Sequence, residues 1–527
     1  MESQRESTIS SDLTRRRLLQ TTSALAATAL SVGPYRARAQ ESRDEIVVRI
    51  ERDIQNLDPA RRIGAVEGNI LKATMRRLTS FAPGDYTVVN DAAETIEQVD
   101  DTTIAFTLKK GIMFQQGYGE MTAEDVKFSF ERFNDPAEGE EPATYAADWA
   151  ALDHVEVTDT YSGRLILKNP APALWLIALS DTSGSIVSKK AFEELGDQMK
   201  TQVIGTGPYM MSDWQPNQSV TLTADPDYLG DPPPIGTVIL NVIAEPKTAQ
   251  LAFRSGEVDF TKIDDAAAAD TLSGEDGTEI ITMDSINYVW IGMNVEKAPL
   301  DDLKVRQAIR LGLDVDAMIL AGWNGAVSRA NSLMAPGLVG AWPDAPVYQR
   351  DVEGAKALLA AAGFADGMTL KLTLLNKPYF QTAALVAQAN LAEIGIQLDL
   401  EVLDGGTYWS MGEGEAGENL ELSIQRFGGK VDPSFQTQWF TTDQIGSWNW
   451  QRWSSPEFDE LEATAAATND ADARAASYVR MQELMDESSA YVWLTHEVNV
   501  FATKDWLQPA ILANGDDWQY NYFTAGE

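Results

Sequence analysis

The chain has 527 residues, contains no cysteine and carries 79 acidic against 41 basic residues, a formal net charge of −38. A surface with this charge repels nucleic acid phosphates and anionic lipid headgroups, which argues against binding to either. Without cysteine, the chain can form no disulfide, thiolate nucleophile or Cys-ligated metal centre. The length exceeds what one hydrophobic core usually supports and indicates about three domains.

The N-terminal segment has the features of an export signal. Arg15-Arg16-Arg17 precede a moderately apolar run, 18–32, and Ala37-Arg38-Ala39 places small residues at a cleavage spacing. The run is shorter and more polar than the ~20 apolar residues of a membrane-spanning helix. We therefore expect 1–39 to be a twin-arginine signal peptide, and the mature protein not to span a membrane.

Strand and helix patterns alternate after the signal. Glu45–Ile50 has the composition of a strand, and 66–78 has the apolar periodicity of a helix. A further strand pattern, 103–108, runs into Lys109-Lys110-Gly111-Ile112-Met113-Phe114. The acidic segment 138–142 is expected to be a surface loop.

Three signals mark the beginning or end of local structure in the next part of the chain. Thr122 lies three residues before Asp125, the spacing of a capping box at a helix start. Gly205-Thr206-Gly207-Pro208-Tyr209 predicts a tight turn. The segment 247–256 predicts a helix that ends at a glycine.

The central stretch, Ile286–Asp314, combines a strand with a capped helix. Its first six residues are rich in β-branched and aromatic side chains. Pro299 and Asp301-Asp302 then provide a turn and an N-cap. In the helix that follows, apolar residues recur at the spacing of one face.

The remaining part of the chain predicts an open α/β arrangement, because helices and strands alternate. The acidic segment 412–418 is expected to be a flexible loop. The predicted elements are a helix at 351–363, a strand at 368–375, a helix at 381–394, a strand at 396–402, helices at 457–467 and 473–487, and a strand at 490–501.

In this order the segments resemble the family 5 extracytoplasmic solute-binding proteins of ABC transporters, which include dipeptide-, oligopeptide-, nickel- and opine-binding proteins. The resemblance implies an α/β fold with two lobes, a periplasmic binding protein of type II (cluster C), with an additional subdomain. It also implies that the ligand lies between the lobes and that the chain crosses between them twice. The motifs that carry the resemblance are 56–60, 109–114, 121–132, 205–209, 251–259 and 286–314.

The resemblance also implies how the chain divides. We expect the chain to cross between the lobes at the strand of Tyr288 and at the strand 491–501. The C-terminal tail, which is rich in Trp and Tyr, is expected to pack on the first lobe. The expected divisions are 41–75, 199–285 and 495–527 for the first lobe, 76–198 for the additional subdomain, and 286–494 for the second lobe.

No catalytic constellation emerges from the sequence. Only His154 and His496 occur, far apart and without metal-ligand spacing, so both are expected to be structural, and no metal or cofactor is expected. The sequence contains no nucleophile elbow, phosphate loop or zinc motif. We therefore expect a binding protein and not an enzyme. Two alternatives stay open: a secreted hydrolase that acts on a glycoside or peptide through a carboxylate pair, and a sensing or chaperone-like protein without a transporter.

Aromatic residues concentrate between 408 and 453. Trp448 and Trp450 are two residues apart and would face the same side of an extended segment. Such rings stack on sugars or on cationic amines. The alternative is ordinary core packing, and the sequence does not decide between the two.

The resemblance implies that, in peptide-binding relatives, an aspartate anchors the α-amino group of the ligand. This aspartate lies four residues before the proline of an Asp-Pro or Glu-Pro pair. Counting back from Pro433 gives Gly429 here. Either Asp432 or another acid replaces that aspartate, or the ligand is not a conventional peptide. Arg426 could hold a ligand carboxylate through two hydrogen bonds, and Phe427 falls near the aromatic floor of the family's site.

The function expected from the resemblance is periplasmic capture of a peptide, an opine or a sugar conjugate, and its delivery to an ABC permease and ATPase by a monomeric protein. The residues expected to contact the ligand are Tyr288, Trp290, Asn294, Tyr408, Trp409, Arg426, Phe427, Gly428, Gly429, Trp448 and Trp450.

Overall fold

The structure is a computed structural model that describes residues 44–62, 64–134, 143–263, 269 and 271–526. The expected signal peptide and the expected acidic loop at 138–142 lie outside these residues. Within them, every helix is too short or too polar to span a lipid bilayer.

The first sheet has seven strands, and their order in space differs from their order in the chain. Glu45–Ile50 lies in its middle and pairs in parallel with Thr237–Val242 and with Phe260–Lys262. The C-terminal aromatics Trp518 and Phe523 pack in the core beneath it. Across the sheet the strands are Tyr209–Gln215, Ser219–Ala224, Thr237–Val242, Glu45–Ile50, Phe260–Lys262, Val498–Lys504 and Thr278–Asp284.

The second sheet has five strands and is covered by helices, as the alternating pattern predicts. The helices that share its core are Leu303–Gly312, Val315–Trp323, Val352–Ala361 and Pro378–Ala392. Asp302 caps the first of them, since its carboxylate accepts a hydrogen bond from Lys304 N at 2.8 Å. Across the sheet the strands are Ile396–Leu403, Met368–Leu375, Leu422–Phe427, Tyr288–Met293 and Tyr491–Thr495.

A third, antiparallel sheet forms a separate core with the helix Ala123–Glu131. The predicted capping box is present: the Asp125 carboxylate accepts hydrogen bonds from the backbone and hydroxyl of Thr122, each at 2.9 Å. Across this sheet the strands are Ala93–Asp100, Thr103–Leu108, Ser162–Leu167 and Leu152–Asp159.

Shorter elements complete the described chain. The small strand pairs are Thr79–Phe81 with Val88–Asn90, Met113–Phe114 with Gly119–Glu120, and Leu507–Gln508 with Thr524–Ala525. The other α-helices are Ala65–Thr74, Lys189–Leu195, Pro246–Ser255, Gly405–Trp409, Gly414–Asn419, Ser434–Thr437, Pro456–Ala466 and Ala471–Ser488.

The helix predicted at 66–78 ends early, at Thr74. The Thr74 carbonyl accepts hydrogen bonds from Thr206 N and Gly207 N at 3.0 and 2.8 Å, so another segment of the chain docks on the helix end. A Cβ atom at Gly205 would lie 1.8 Å from that carbonyl oxygen. Neither Gly205 nor Gly207 has a left-handed backbone, so glycine is needed at both positions to let the two backbone segments approach each other closely.

Two further sequence predictions are wrong. The segment expected to be a flexible loop contains the helix Gly414–Asn419, whose Gly417 packs so closely that a Cβ would lie 2.3 Å from Gly412 O. The single strand expected at 490–501 is two strands, because the chain leaves the second sheet after Thr495 and joins the first at Val498.

Candidate functional site

The chain passes between the first and second sheets at two adjacent places. The first crossing is Ser285–Asn287, just before the strand of Tyr288, and the second is His496–Glu497. The two crossings touch, since Ser285 N donates to Glu497 O at 3.4 Å. Glu497 has a left-handed backbone, with a φ of 61°. The strand after the first crossing lies wholly in the second sheet, so the crossing precedes it.

A cavity of about 790 Å³ opens beside these crossings. One wall comes from the first sheet and the other from the second sheet and its helices. The lining residues are Lys262, Ile263, Asn287, Ala321, Gly322, Trp323, Asn324, Val327, Leu375, Lys377, Pro378, Tyr379, Phe380, Thr382, Tyr408, Trp409, Arg426, Glu497, Val498, Asn499 and Val500.

The charge of this lining is opposite to that of the whole chain. Lys262, Lys377 and Arg426 provide three cations, and Glu497 is the one carboxylate among the lining residues. Lys262 is paired outside the lining, since its Nζ lies 2.6 Å from an oxygen of Asp516. In a protein with a net charge of −38, a cationic cavity wall favours an anionic ligand.

Arg426 lies near the carboxyl end of Leu422–Phe427, the central strand of the second sheet, and is held there by the second crossing. Its Nε donates to Glu497 Oε2 at 2.9 Å. Burial lowers the pKa of Arg426, but the charge of Glu497 and its hydrogen bond more than offset this, so the pKa is raised overall. Among the described residues no partner is found for the two terminal nitrogens of Arg426. These nitrogens can therefore receive a carboxylate in the paired geometry that arginine favours.

Four aromatic rings in successive contact, beginning at the cavity, form what we call the aromatic strip. It consists of Trp409, Trp448, Trp439 and Phe435, whose successive ring centroids lie 6.4, 5.8 and 5.4 Å apart. Trp409 lines the cavity. Trp409 and Trp448 are 39% and 38% exposed, so part of each ring is open to a ligand.

Behind the strip lies a buried aromatic cluster that contains Tyr288, Trp290 and Phe427. The rings of Tyr288 and Trp290 stack at 5.5 Å, and Phe427 contacts both edge-on. The Tyr288 hydroxyl and the Trp290 indole nitrogen have no hydrogen-bond partner among the described residues. Both side chains are fully buried, so the structure places them beneath the site and not in the cavity wall.

Two residues expected to contact the ligand are instead buried and hydrogen-bonded within the protein. Asn294 is buried, and its amide donates to the carbonyls of Gly417 and Leu420 at 3.2 and 2.9 Å. Trp450 is 1% exposed and donates to Ser447 O at 3.0 Å. Trp450 does not share the orientation of Trp448, because the chain turns here and Trp450 N bonds to Trp448 O.

Tyr408 lines the cavity but is 1% exposed, and its hydroxyl donates to Ile424 O. Gly428 and Gly429 follow the strand that carries Arg426, and neither is among the lining residues of the cavity. Gly429 N donates to Asn287 Oδ1 at 3.2 Å, and a Cβ at Gly429 would lie 2.0 Å from Ile286 O. The first crossing therefore leaves room only for glycine at position 429.

Asp432 does not replace the absent acid at position 429. It is fully buried, and Arg474 Nη2 lies 2.9 and 3.0 Å from its two carboxylate oxygens. The Ser434 hydroxyl also donates to it at 2.7 Å. A carboxylate with these partners has no free face for a ligand ammonium group.

Sequence reasoning missed six lining residues that are charged or aromatic: Lys262, Trp323, Lys377, Tyr379, Phe380 and Glu497. A signal existed for Lys377 and Tyr379, because they follow the carboxyl end of the strand Met368–Leu375, which pairs in parallel with Ile396–Leu403. Ligands of α/β sheets bind beyond such strand ends. Burial raises the pKa of Tyr379 to about 12, so it stays a neutral phenol at physiological pH.

His496 lies at the second crossing. Its Nε2 is 3.1 Å from Ser332 O and 3.2 Å from Leu333 O. Burial lowers its pKa, so the ring is neutral near pH 7. His154 is exposed on the third sheet beside Asp153.

Two α/β sheets joined by paired crossings, with a cavity against the crossings, define a two-lobed solute-binding protein. Residues 87–448 match the family model of bacterial extracellular solute-binding proteins, family 5 Middle, so the chain belongs to this family.

Relatives cover most of the chain. The dipeptide-binding protein of Escherichia coli K12 is 27% identical over 446 residues, 80% of this chain and 83% of that protein. The structure of HbpA2 from Haemophilus parasuis has a TM-score of 0.84 at 23% identity and covers 92% of this chain and all of that chain, 100%. MoaA from A. tumefaciens R10, solved with mannopinic acid, has a TM-score of 0.69 at 25% identity, with 92% and 100% coverage. The family consists of solute-binding proteins and not of enzymes.

Proposed function

We propose that this protein is the periplasmic solute-binding component of an ABC importer and captures a carboxylate-bearing solute, peptide-like or opine-like, in the cavity beside the crossings. The observation that carries the proposal is the cationic lining, in which Arg426 keeps its terminal nitrogens free while Glu497 orients the guanidinium. A dipeptide and mannopinic acid, named for two relatives, both carry a carboxylate.

The aromatic strip supports a ligand that has more than a carboxylate. Trp409 and Trp448 offer partly open ring faces next to the cavity. A sugar ring or a substituted amine would stack there, and a cationic amine over an exposed ring gains about 0.5–1 kcal/mol. The proposed binding mode therefore has the carboxylate at Arg426 and the remainder of the ligand along the strip.

The other parts of the proposal rest on the resemblance to the family and on the N-terminal sequence. The chain divides into a first lobe (41–75, 199–285 and 495–527), a subdomain (76–198) and a second lobe (286–494), and the lobes close on the ligand. Export by the twin-arginine route, through the segment 1–39, delivers the protein to the periplasm. There it acts as a monomer with a permease and an ATPase.

A thermal-shift screen followed by calorimetry tests the proposal. The screen contains opines, dipeptides and tripeptides with free or blocked amino groups, oligosaccharides and betaines. We expect carboxylate-bearing compounds to raise the melting temperature and neutral oligosaccharides, which lack a carboxylate, to do so less. Turnover of a peptide or glycoside by the pure protein would instead support the hydrolase alternative.

Arg426→Ala then tests the contact itself. The loss of a charge-assisted hydrogen bond should weaken binding by about 1.5–3 kcal/mol, or roughly 10- to 150-fold. Because Glu497 would be left without its partner, the variant is also made together with Glu497→Gln. Arg452→Ala is the matched control, since Arg452 also pairs a glutamate through Nε but lies outside the cavity lining. Equal affinity of the Arg426 and Arg452 variants would refute the proposed contact.

A further inference from the structure

A lysine from the segment after the second sheet reaches an aspartate beside the third sheet. Lys430 Nζ lies 3.0 and 3.3 Å from the two carboxylate oxygens of Asp148. The two side chains are 27% and 12% exposed. Asp148 belongs to the core region of the third sheet, whereas Lys430 follows the strand Leu422–Phe427 of the second. The pair therefore joins two parts of the molecule that have separate cores.

Asp148 is held in place by its neighbour. Trp149 is fully buried, and its ring lies 4.3 Å from that of Phe130 and 5.5 Å from that of Phe133. Burial raises the pKa of Asp148, and Lys430 opposes this rise. A mostly buried carboxylate whose backbone is fixed in this way is an acceptor for a cation, and Arg62, 4.2 Å from the ring centroid of Tyr145, adds positive charge nearby.

Two aromatic rings flank the same ammonium group. Lys430 Nζ lies 5.0 Å from the ring centroid of Phe435 and 5.8 Å from that of Tyr145. A carboxylate with aromatic faces beside it is the chemistry that recognises an alkylammonium ion. We call Asp148, Tyr145 and Phe435 the ammonium box.

The backbone of Lys430 is fixed on both sides. Gln436 Nε2 donates to Lys430 O at 2.7 Å. The preceding Gly429 is bonded to Asn287 at the first crossing. The segment that positions the Lys430 ammonium group in the box is therefore attached to the first crossing.

The box lies at the far end of the aromatic strip. Phe435 belongs to both, and Trp409, at the other end of the strip, lines the cavity. A ligand that extends from Arg426 along the strip would reach the box with its distal end.

We propose that the ammonium box is a ligand subsite and that this chain fills it with its own Lys430. Lys430 is then a specificity-determining residue that disfavours solutes with a free primary ammonium. The inference rests on the proposed function for the direction in which the ligand lies. A solute whose amine is acylated carries no ammonium charge, so it loses nothing when the box is occupied. A solute with a free ammonium must displace Lys430 or leave its own charge without a partner.

The test uses the full-length mature protein and an ion that replaces the missing atoms. Lys430→Ala removes four heavy atoms, which correspond to propylammonium. We expect propylammonium chloride to raise the melting temperature of Lys430→Ala by about 1–2 °C more than sodium chloride at equal ionic strength, at about ten times its Kd. The wild type and the double variant Lys430→Ala/Asp148→Asn should show no such difference. No specific shift in a folded Lys430→Ala would overturn the proposal, because the vacated box would then bind no ammonium ion.

A second measurement does not depend on the folding of Lys430→Ala. Affinities for Ala-Phe and N-acetyl-Ala-Phe are compared in the wild type and in Asp148→Asn. We expect both proteins to bind N-acetyl-Ala-Phe at least as tightly as Ala-Phe, because the box is occupied by Lys430 in the wild type and lacks its negative charge in Asp148→Asn. A wild type that prefers the free amine tenfold or more, and loses this preference in Asp148→Asn, would overturn the proposal.

The two proposals fail separately. Propylammonium binding requires only the box, so it can be observed even if Arg426→Ala leaves ligand affinity unchanged. Conversely, a loss of affinity in Arg426→Ala with no response of Lys430→Ala to propylammonium would retain the carboxylate contact and remove the box.

Discussion

Replacing Gly429 with alanine should destabilise the protein, whereas the same change at Gly428 should not. A Cβ at position 429 would lie 2.0 Å from Ile286 O, and one at position 428 would lie 3.7 Å from Asn287 Oδ1. The first distance demands a backbone shift of about 1 Å or more, since C···O contacts rarely fall below about 3.3 Å. The second distance is an ordinary contact. Neither glycine has a left-handed backbone, so backbone strain does not confuse the comparison.

The cost at position 429 has two parts. Overpacking against a fixed backbone costs about 1–3 kcal/mol, and displacement of the hydrogen bond from Gly429 N to Asn287 costs about 1 kcal/mol more. We expect Gly429→Ala to lower the free energy of unfolding by about 2–4 kcal/mol, and Gly428→Ala to change it by less than about 1 kcal/mol. Urea unfolding followed by tryptophan fluorescence measures both midpoints. Equal midpoints for the two variants would refute the assignment of close packing to the first crossing.

Two further predictions concern the tryptophan pair and a buried acid. Trp450→Ala should lower the free energy of unfolding by about 3–5 kcal/mol, because Trp450 is 1% exposed. Trp448→Ala, at a residue that is 38% exposed, should mainly weaken ligand binding. Calorimetry and urea unfolding of both variants check this, and a stable Trp450→Ala would contradict it. Burial raises the pKa of Glu462 to about 8. The folded state therefore binds more protons than the unfolded state between about pH 4.3 and 8, and stability falls as the pH rises through this range. Glu462→Gln should flatten this dependence in pH-resolved unfolding, and the exposed Glu460→Gln should leave it in place.

Local signals in the sequence predicted local structure well. The capping box of Thr122 and Asp125 is present. The predicted glycine end at 256 is a left-handed C-cap with a φ of 79°. These features depend on residues only a few positions apart, so the sequence contains the whole interaction.

Errors arose where a distant segment decides the structure. The helix that ends at Thr74 is stopped by the turn at Gly207, more than a hundred positions later. Trp450 points into the core because the chain turns between it and Trp448, and spacing alone cannot reveal such a turn.

The cavity could be predicted only in part. Trp409 and Arg426 were named from the sequence and line the cavity, whereas Glu497 was not. Glu497 meets Arg426 because the chain returns at the second crossing, 71 positions further on. No periodicity or local motif contains that contact.

The place of the strand Val498–Lys504 has a consequence for synthesis of the protein. This strand lies between Phe260–Lys262 and Thr278–Asp284, and pairs with both. Until the ribosome has made residue 504, Thr278–Asp284 has no neighbour in the first sheet. Nascent chains therefore carry an incomplete first sheet until residue 504 has been made, and the unpaired edge of Phe260–Lys262 is open to pairing with other strands during that time.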